Sequence, residues 1–533
     1  MAVGVMSVMA SRRAASAGKW WALGGLTLGV LAVGLDATVL SVALPTLAGS
    51  LRASATDLQW FVSAYTLGLA VGLLPGGVLG DRFGRKRVML ITLAVFGAGS
   101  LACAYAPSAA AFIAARTLLG VSAGFLLPLV LSVVTVMFTD QERPKAVGIW
   151  AAANFLALPI GPILGGWLLS SYWWGWVFLM NLPVVAIGMV AVAVLVPESR
   201  AAERPGLDPA GIVASCAGLA VLVYGFIAAG QYGWTSVTAI AAMTAGAVIL
   251  AAFVAWERRL TRRPGGQPLV DLTLFTSAGF TWGTILQAFG VFAMFGLLFA
   301  APQFFQAILG VSAMGSGLRL LPLMAGLALG AVLADRVAAR LTTKLTAALG
   351  FTLLAAGLAI GATTTVASGN AFIATWTAIA GAGFGLALAT AASAALVDLP
   401  KASAGVGSAV MQAVQKAGAP LSAAILGSVL ASAYRSGLSL AGLPAHAAEA
   451  VRSSVFAGLA VARQLSSAQL LESVRTAFAH GIDAMLWASA GLAVAGILVA
   501  LAFLPWHATA GPTPVAVSGP GSEGAESPHE RVA

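Results

Sequence analysis

Long apolar runs separated by short polar breaks dominate the 533-residue chain. Fourteen runs lie roughly at 20–45, 58–80, 88–106, 109–136, 146–169, 175–196, 210–230, 236–256, 278–302, 316–334, 344–366, 371–397, 403–432 and 482–504. Each approaches the ~20 residues that a helix needs to cross a bilayer. Strand-like alternation is absent, and backbone in hydrocarbon must satisfy its own N–H and C=O groups, so the pattern predicts an all-α integral membrane protein with fourteen transmembrane helices.

Three connections are long enough to interrupt this rhythm. Pro197–Pro209 and Glu257–Thr276 read as linkers around helices 7 and 8, the second carrying four arginines and Pro264–Gly265–Gly266. The third, 435–481, has helical amphipathic spacing over Val451–Ala479 and is read as lying on the outer surface. The Gly/Pro/Ser-rich tail 505–533, with Glu523, Glu526 and Glu530, reads as disordered. Gly77–Lys86, between helices 2 and 3, is echoed by Gly330–Arg340 between helices 10 and 11: each places an Asp–Arg pair (Asp81–Arg82, Asp335–Arg336) at the end of an apolar helix. If helices 7 and 8 are an insertion, the echo implies two parallel six-helix halves, a transporter architecture. The expected organisation is an N-terminus at 1–19, a bundle at 20–196, linker plus two inserted helices at 197–276, and a second bundle at 277–504.

Composition fits this picture: 59% of residues are hydrophobic, 9% are charged, and the mean hydropathy is +0.95. The net charge of +10 does not point to nucleic acid, because of how it is distributed. With the N-terminus inside, the inner segments hold 20 Lys and Arg, the outer segments 5, and the spans 3 (Arg116, Arg319 and Lys416). This bias puts both termini in the cytoplasm of a multi-pass protein of the plasma (inner) membrane. Arg12–Arg13 precede an apolar run that is too long for a signal sequence and contains Asp36, so the run is an uncleaved first span. Cys103 and Cys216 lie in spans and give neither a disulfide framework nor a metal site, and His446, His480, His507 and His529 form no ligand pair at helical spacing. No phosphate-binding Gly-x-x-x-x-Gly-Lys loop is present, so the chain shows no ATP site, and no catalytic constellation suggests an enzyme.

Asp36 is the sole charge between Trp20 and Pro45. Such a carboxylate costs at least a few kcal/mol, roughly 2.5–3.5 on insertion scales, and normally serves a function in a polar interior. Four stretches accompany it. Gly77–Arg87 combines Gly77, Asp81, Arg82, Gly84, Arg85 and Lys86. Ala157–Gly166 sets Pro159 and Pro162 among Gly161, Gly165 and Gly166 in helix 5, a pattern for a bent, closely packed helix. Leu35–Pro45 surrounds Asp36, and Arg116-x-x-x-Gly120-x-x-x-Gly124 lies in helix 4. Trp173–Pro183 opens helix 6 and reads equally as an interfacial aromatic belt.

Together these stretches resemble the major facilitator superfamily, specifically its fourteen-helix drug:proton antiporter group, over nearly the whole chain to Leu504. The departures are Gly80 at an Ala position, Ala157 where Gly is usual, and Leu119 in place of Gln. The resemblance implies an inner-gate latch at Gly77–Lys86, an antiporter motif at Pro159–Gly166, and a proton and substrate site at Asp36 with Arg116. Lys416, flanked by Gln412 and Gln415 in helix 13, stands where some cation exporters carry an acid, which favours neutral or anionic substrates. The implied function is export of hydrophobic drugs or antibiotics by a monomer driven by the proton gradient, without a cofactor or metal. The rivals are a proton-coupled metabolite importer and a non-transporting membrane receptor.

Overall fold

The computed structural model describes residues 2–139, 142–200, 208–263, 266, 268–270, 272–365, 368–397 and 404–506. Arg204, Lys401 and Arg531, counted among the inner cations, and the expected tail beyond Trp506 lie outside this set. The helices are α1 (Ala2–Ser50), α2 (Ala55–Phe83), α3 (Arg85–Ala104), α4 (Ala109–Met137), α5 (Arg143–Ser171), α6 (Trp176–Leu179), α7 (Asn181–Leu195), α8 (Pro209–Tyr232) and α9 (Val237–Arg262). After a 3-10 turn at Leu272–Thr276 follow α10 (Ala278–Ala307), α11 (Ala313–Arg319), α12 (Leu321–Arg340), α13 (Thr343–Gly361), α14 (Asn370–Val397), α15 (Ala404–Gly437), α16 (Ala445–Ser453), α17 (Val455–Gln464) and α18 (Ala468–Phe503). Among the described residues there is no strand.

Among the described residues, twelve helical stretches are long and apolar enough to cross a membrane, thirteen if α2, bent by 46° between Leu73 and Pro75, counts as one span. The remaining expected span, the fifth, falls in α5, where the apolar stretch found is Ile160–Ser171. Two expected spans are not simple rods. The sixth is broken at Met180 into α6 and α7, and the tenth at Leu320 into α11 and α12. Serine hydroxyls cap many of the starts: Ser54, Ser108, Ser236, Ser277, Ser312, Ser454 and Ser467 each accept a backbone N–H from the first turn, as the orphan donors there require.

Small residues set the closest packing. A Cβ on Gly120 of α4 would lie 2.1 Å from the carbonyl oxygen of Tyr65 in α2, and one on Gly330 of α12 would lie 2.1 Å from that of Ala382 in α14. Backbones meet there because lipid supplies little hydrophobic drive between helices, leaving close contact to hold them. α8 and α9 pair with each other, and α8 leans on α15 and α2. Contacts between α1–α7 and α10–α15 cluster at the end of the molecule that holds Pro45 and Ser171. There Gln306 donates to the Val42 carbonyl at 3.0 Å, Gly317 meets the Pro162 carbonyl, and Gly427 meets the Gln59 side chain.

The segment 435–481 folds as α16, α17 and the first turns of α18, and Val451, Val455, Leu459 and Ala462 are buried. Its apolar face packs on the protein, with α17 touching α18, α1 and α10. Tyr434 at the end of α15 anchors it by donating to the Val451 carbonyl at 2.9 Å.

Candidate functional site

The site forms where α1, α2, α4 and α7 converge. Asp36 of α1 is completely buried, and Arg116 of α4 is 1% exposed. Their side chains form an ion pair between Asp36 Oδ2 and a terminal guanidinium nitrogen. Arg116 Nε donates to the Phe61 carbonyl at 3.1 Å, and the guanidinium lies 4.2 Å from the centre of the Tyr65 ring. The Tyr65 hydroxyl donates to the Val33 carbonyl at 2.9 Å. Asn181, the first residue of α7, donates from Nδ2 to Asp36 Oδ1 and to Ser100 Oγ, each at 3.3 Å. The carboxylate thus has polar partners on both oxygens, and the guanidinium has an ion-pair partner, a carbonyl and an aromatic face. A buried pair persists only when its remaining polar atoms are also satisfied.

Asp36 and Arg116, joined in the sequence analysis only through the resemblance, are in direct contact. Asn181 escaped the sequence reading because it sits inside Trp173–Pro183, where the aromatics suggested an interfacial belt. Only part of that stretch is exposed: Phe178 is buried and packs edge-on against Phe112, which does the same against Phe61. The break at Met180 is the signal, because it places an Asn at a helix start beneath a buried charge.

Lys416 is remote in character. It lies in α15, partly exposed, and among the described residues neither a hydrogen bond nor an ion pair involves it. Arg319, the third cation within a span, donates from Nε and Nη2 to Asn370 Oδ1 at 3.2 and 2.7 Å, tying α11 to α14.

The Gly77–Lys86 stretch closes the α2–α3 turn. Asp81 and Arg85 pair at 2.8 Å. Gly84 has φ +109°, which side chains resist, and a Cβ there would lie 2.7 Å from Glu198 Oε1. Glu198 accepts the Lys86 and Arg87 N–H groups at 3.2 and 3.3 Å, placing a carboxylate at the positive start of α3. Lys86 Nζ donates to the Ala193 carbonyl at 2.7 Å, and Arg85 N–H to the Ser199 carbonyl at 3.0 Å. Glu198 and Ser199 had been read only as linker. Gly77 lies 3.7 Å from Pro128 by the same Cβ measure, and Arg82 lies over the Phe83 ring. At the same end, Lys19 Nζ pairs with Glu142 at 2.6 Å; that hydrogen bond, supplemented by Thr139, holds the Glu142 carboxyl below its ordinary value.

In α5 a Cβ on Gly161 would fall 2.0 Å from Thr38 Oγ1, and one on Gly165 would fall 2.7 Å from Val39 Cγ2, so both glycines admit α1 just beyond Asp36. Thr38 Oγ1 donates across to the Ala157 carbonyl at 3.1 Å. Gly166 abuts Met314 of α11, and Pro162 is buried beside Gly317. Pro159 lies within α5, its side chain outside the described set. Among the described residues no group of three or more His, Cys, Asp or Glu side chains could hold a metal ion.

The chain matches the Major Facilitator Superfamily model over residues 26–211 and 209–423. It is 35% identical over 495 residues to the multidrug efflux pump LfrA of Mycolicibacterium smegmatis, covering 90% of this chain and 95% of that one. It is 31% identical to the methyl viologen resistance protein SmvA of Salmonella typhimurium (92% and 98% covered) and 32% identical to the tetracenomycin C resistance and export protein of Streptomyces glaucescens (78% and 76%). Among solved structures it resembles an inward-facing, unoccupied bacterial homologue of the human lysosomal transporter Spinster, at TM-score 0.64 and 18% identity over 91% of this chain and 96% of that one. It also resembles a D-xylose–proton symporter, at TM-score 0.58 and 17% identity over 91% and 98%. With matches that run through the helices carrying Asp36, Arg116 and Asn181, the chain belongs to the Major Facilitator Superfamily of membrane transporters.

Proposed function

We propose that this protein exports hydrophobic drug-like compounds or antibiotics across the plasma membrane in exchange for protons. The observation that carries the reading is the buried Asp36–Arg116 pair, in a chain whose relatives at 31–35% identity are a multidrug efflux pump and resistance proteins. The chain is read as fourteen membrane helices: bundles at 20–196 and 277–504 with 197–276 inserted, acting as a monomer with both termini cytoplasmic. In that orientation the seam between α1–α7 and α10–α15 closes the outer side.

Asp36 is the proton acceptor. A proton on its carboxyl removes the counter-charge of Arg116, which stays cationic, so the pair exists in two electrostatic states. A drug and a proton that favour opposite orientations of the bundles then exchange by mass action, because each shifts the equilibrium only through its differential affinity. Asp81, Arg85 and the Glu198 clasp serve as the inner latch. Gly161, Gly165, Gly166, Pro159 and Pro162 seat α5 against α1 and α11, which keeps the outer side sealed. Lys416 contacts substrate and disfavours dications.

Everted membrane vesicles test the reading. Drug addition should dissipate a preformed ΔpH; a receptor would leave ΔpH unchanged, and an importer would respond to a metabolite but to none of a drug panel.

A further inference from the structure

α9 is the most lipid-exposed candidate span: 11% of its most apolar stretch is buried, against 72% in α1. It packs on α8 with one face, where Gly246 admits Leu222 and Gly225 admits Met243. The opposite face is exposed, and over it lies an open space of about 720 Å³ bordered by residues of α9 and its C-cap alone. Its floor is Ala251, Val254 and Ala255, and its end is formed by Arg258, Arg259, Arg262 and Arg263. The spacing places these residues on one helical stripe, one to two turns of small apolar side chains followed by two turns of arginine.

The charges at this helix end are sorted. Glu257 is fully buried on the inward side, accepting the Val270 N–H at 3.0 Å and facing Asp208. Asp208 accepts the Trp256 indole N–H at 3.1 Å. Both nearby acids are therefore turned away from the groove, and the four arginines are exposed. Among the described residues none of them has a carboxylate partner. Four guanidinium groups at one end of a candidate span thus lack a counter-charge from the described chain, and an exposed apolar strip, Ala251, Val254 and Ala255, precedes them on the same face.

We propose that this groove binds an anionic phospholipid, its phosphate against the arginines and one acyl chain along Ala251, Val254 and Ala255. Guanidinium forks match phosphate oxygens bidentately, and basic pockets at the cytoplasmic end of membrane helices recognise anionic headgroups. A soluble anion would meet the arginines but leave the apolar floor uncovered. The inference does not depend on drug or proton transport.

The test uses the delipidated full-length protein in detergent and in nanodiscs. Native mass spectrometry should show phosphatidylglycerol retained over phosphatidylcholine, with excess inorganic phosphate failing to displace it. Val254→Trp fills the trough while leaving every charge and the topology signal in place; it should weaken phosphatidylglycerol binding by at least roughly tenfold. Replacing Arg258, Arg259, Arg262 and Arg263 by Gln should abolish the preference for the anionic lipid. Equal retention of both lipids, displacement by phosphate, or unchanged affinity in Val254→Trp would overturn the proposal. If the four-fold Gln variant fails to insert, the Val254→Trp comparison still decides.

Discussion

Arg116 in α4 and Lys416 in α15 are both cations set within apolar helices, and their surroundings differ in almost every respect. Arg116 is 1% exposed, paired with Asp36, bonded to the Phe61 carbonyl and roofed by Tyr65. Lys416 keeps part of its surface accessible and has no charged partner among the described residues. A buried cation held by an ion pair, a carbonyl and an aromatic face responds chiefly when its partner changes charge. One left with an accessible head is available to a passing solute. On the proposed reading, the first is a charge that is switched and the second a charge that is displayed.

The strongest way to break this contrast is at Asp36. Asp36→Asn keeps the shape and an acceptor oxygen for Arg116 but removes the titrating group, so drug-induced ΔpH dissipation should vanish while the protein remains inserted. Normal transport in that variant would remove Asp36 from the coupling. Arg116→Ala strands a buried carboxylate and should cost about 3–5 kcal/mol, read as a lower melting temperature of the purified protein. Combining it with Asp36→Asn should recover part of that loss, since neither charge is then left alone.

Lys416 should behave otherwise. Lys416→Ala should leave stability near that of the parent yet weaken export of anionic or polar neutral compounds, by a factor of roughly ten if the contact is worth about 1.4 kcal/mol. Lys416→Glu should shift resistance toward dications, because a charge in a low-dielectric wall acts at range. Unchanged resistance across cationic, neutral and anionic drugs, with both variants well expressed, would make Lys416 structural and collapse the contrast.

Asp81 and Arg85 give a subtler effect. A part-exposed pair four residues apart is worth about 0.3–0.5 kcal/mol, so Asp81→Ala or Arg85→Ala should fold normally. Slower cycling with drug affinity retained is expected, measured as turnover against binding; lost binding at unchanged turnover would reject the latch. The smallest change concerns Glu142, whose folded value is lowered by the hydrogen bond from Lys19 and then by Thr139. Its stabilisation is complete above the ordinary carboxylate range, near about 4.3, and fades as pH falls through the lowered folded value. The melting-temperature gap between the parent and Glu142→Gln should therefore stay flat at neutral pH and close only in acid.

Much of the architecture was legible because membrane helices announce themselves by length and hydropathy, and Asp36 by its isolation. What remained hidden depends on rotation about the helix axis, which depth along the helix does not encode. Sequence set Asp36 in α1 and Arg116 in α4 but could not aim one at the other. Asn181 was masked by its aromatic neighbours, and Glu198 by a linker composition that gave no hint of a clasp on the start of α3. The two members of the internal echo differ in their contacts. Asp81 pairs with Arg85 across the Gly84 break, whereas Asp335 is exposed within the unbroken α12 and pairs with no cation among the described residues. In 435–481 the amphipathic spacing was legible, but not what its apolar face meets, since such a helix looks the same from sequence whether that face packs on lipid or on protein.

The seam between α5 and α11 is made largely of bare backbone. A Cβ on Gly166 would lie 2.7 Å from Met314 Cα, and one on Gly317 would lie 2.3 Å from the Pro162 carbonyl oxygen. Such surfaces hold by dispersion, which is summed over many weak contacts and lost steeply with sub-ångström gaps. The seam is thus governed by volume more than by charge. A single added methyl group acts as a wedge, and Gly166→Ala or Gly317→Ala would shift the resting population toward the separated form without touching a titrating residue.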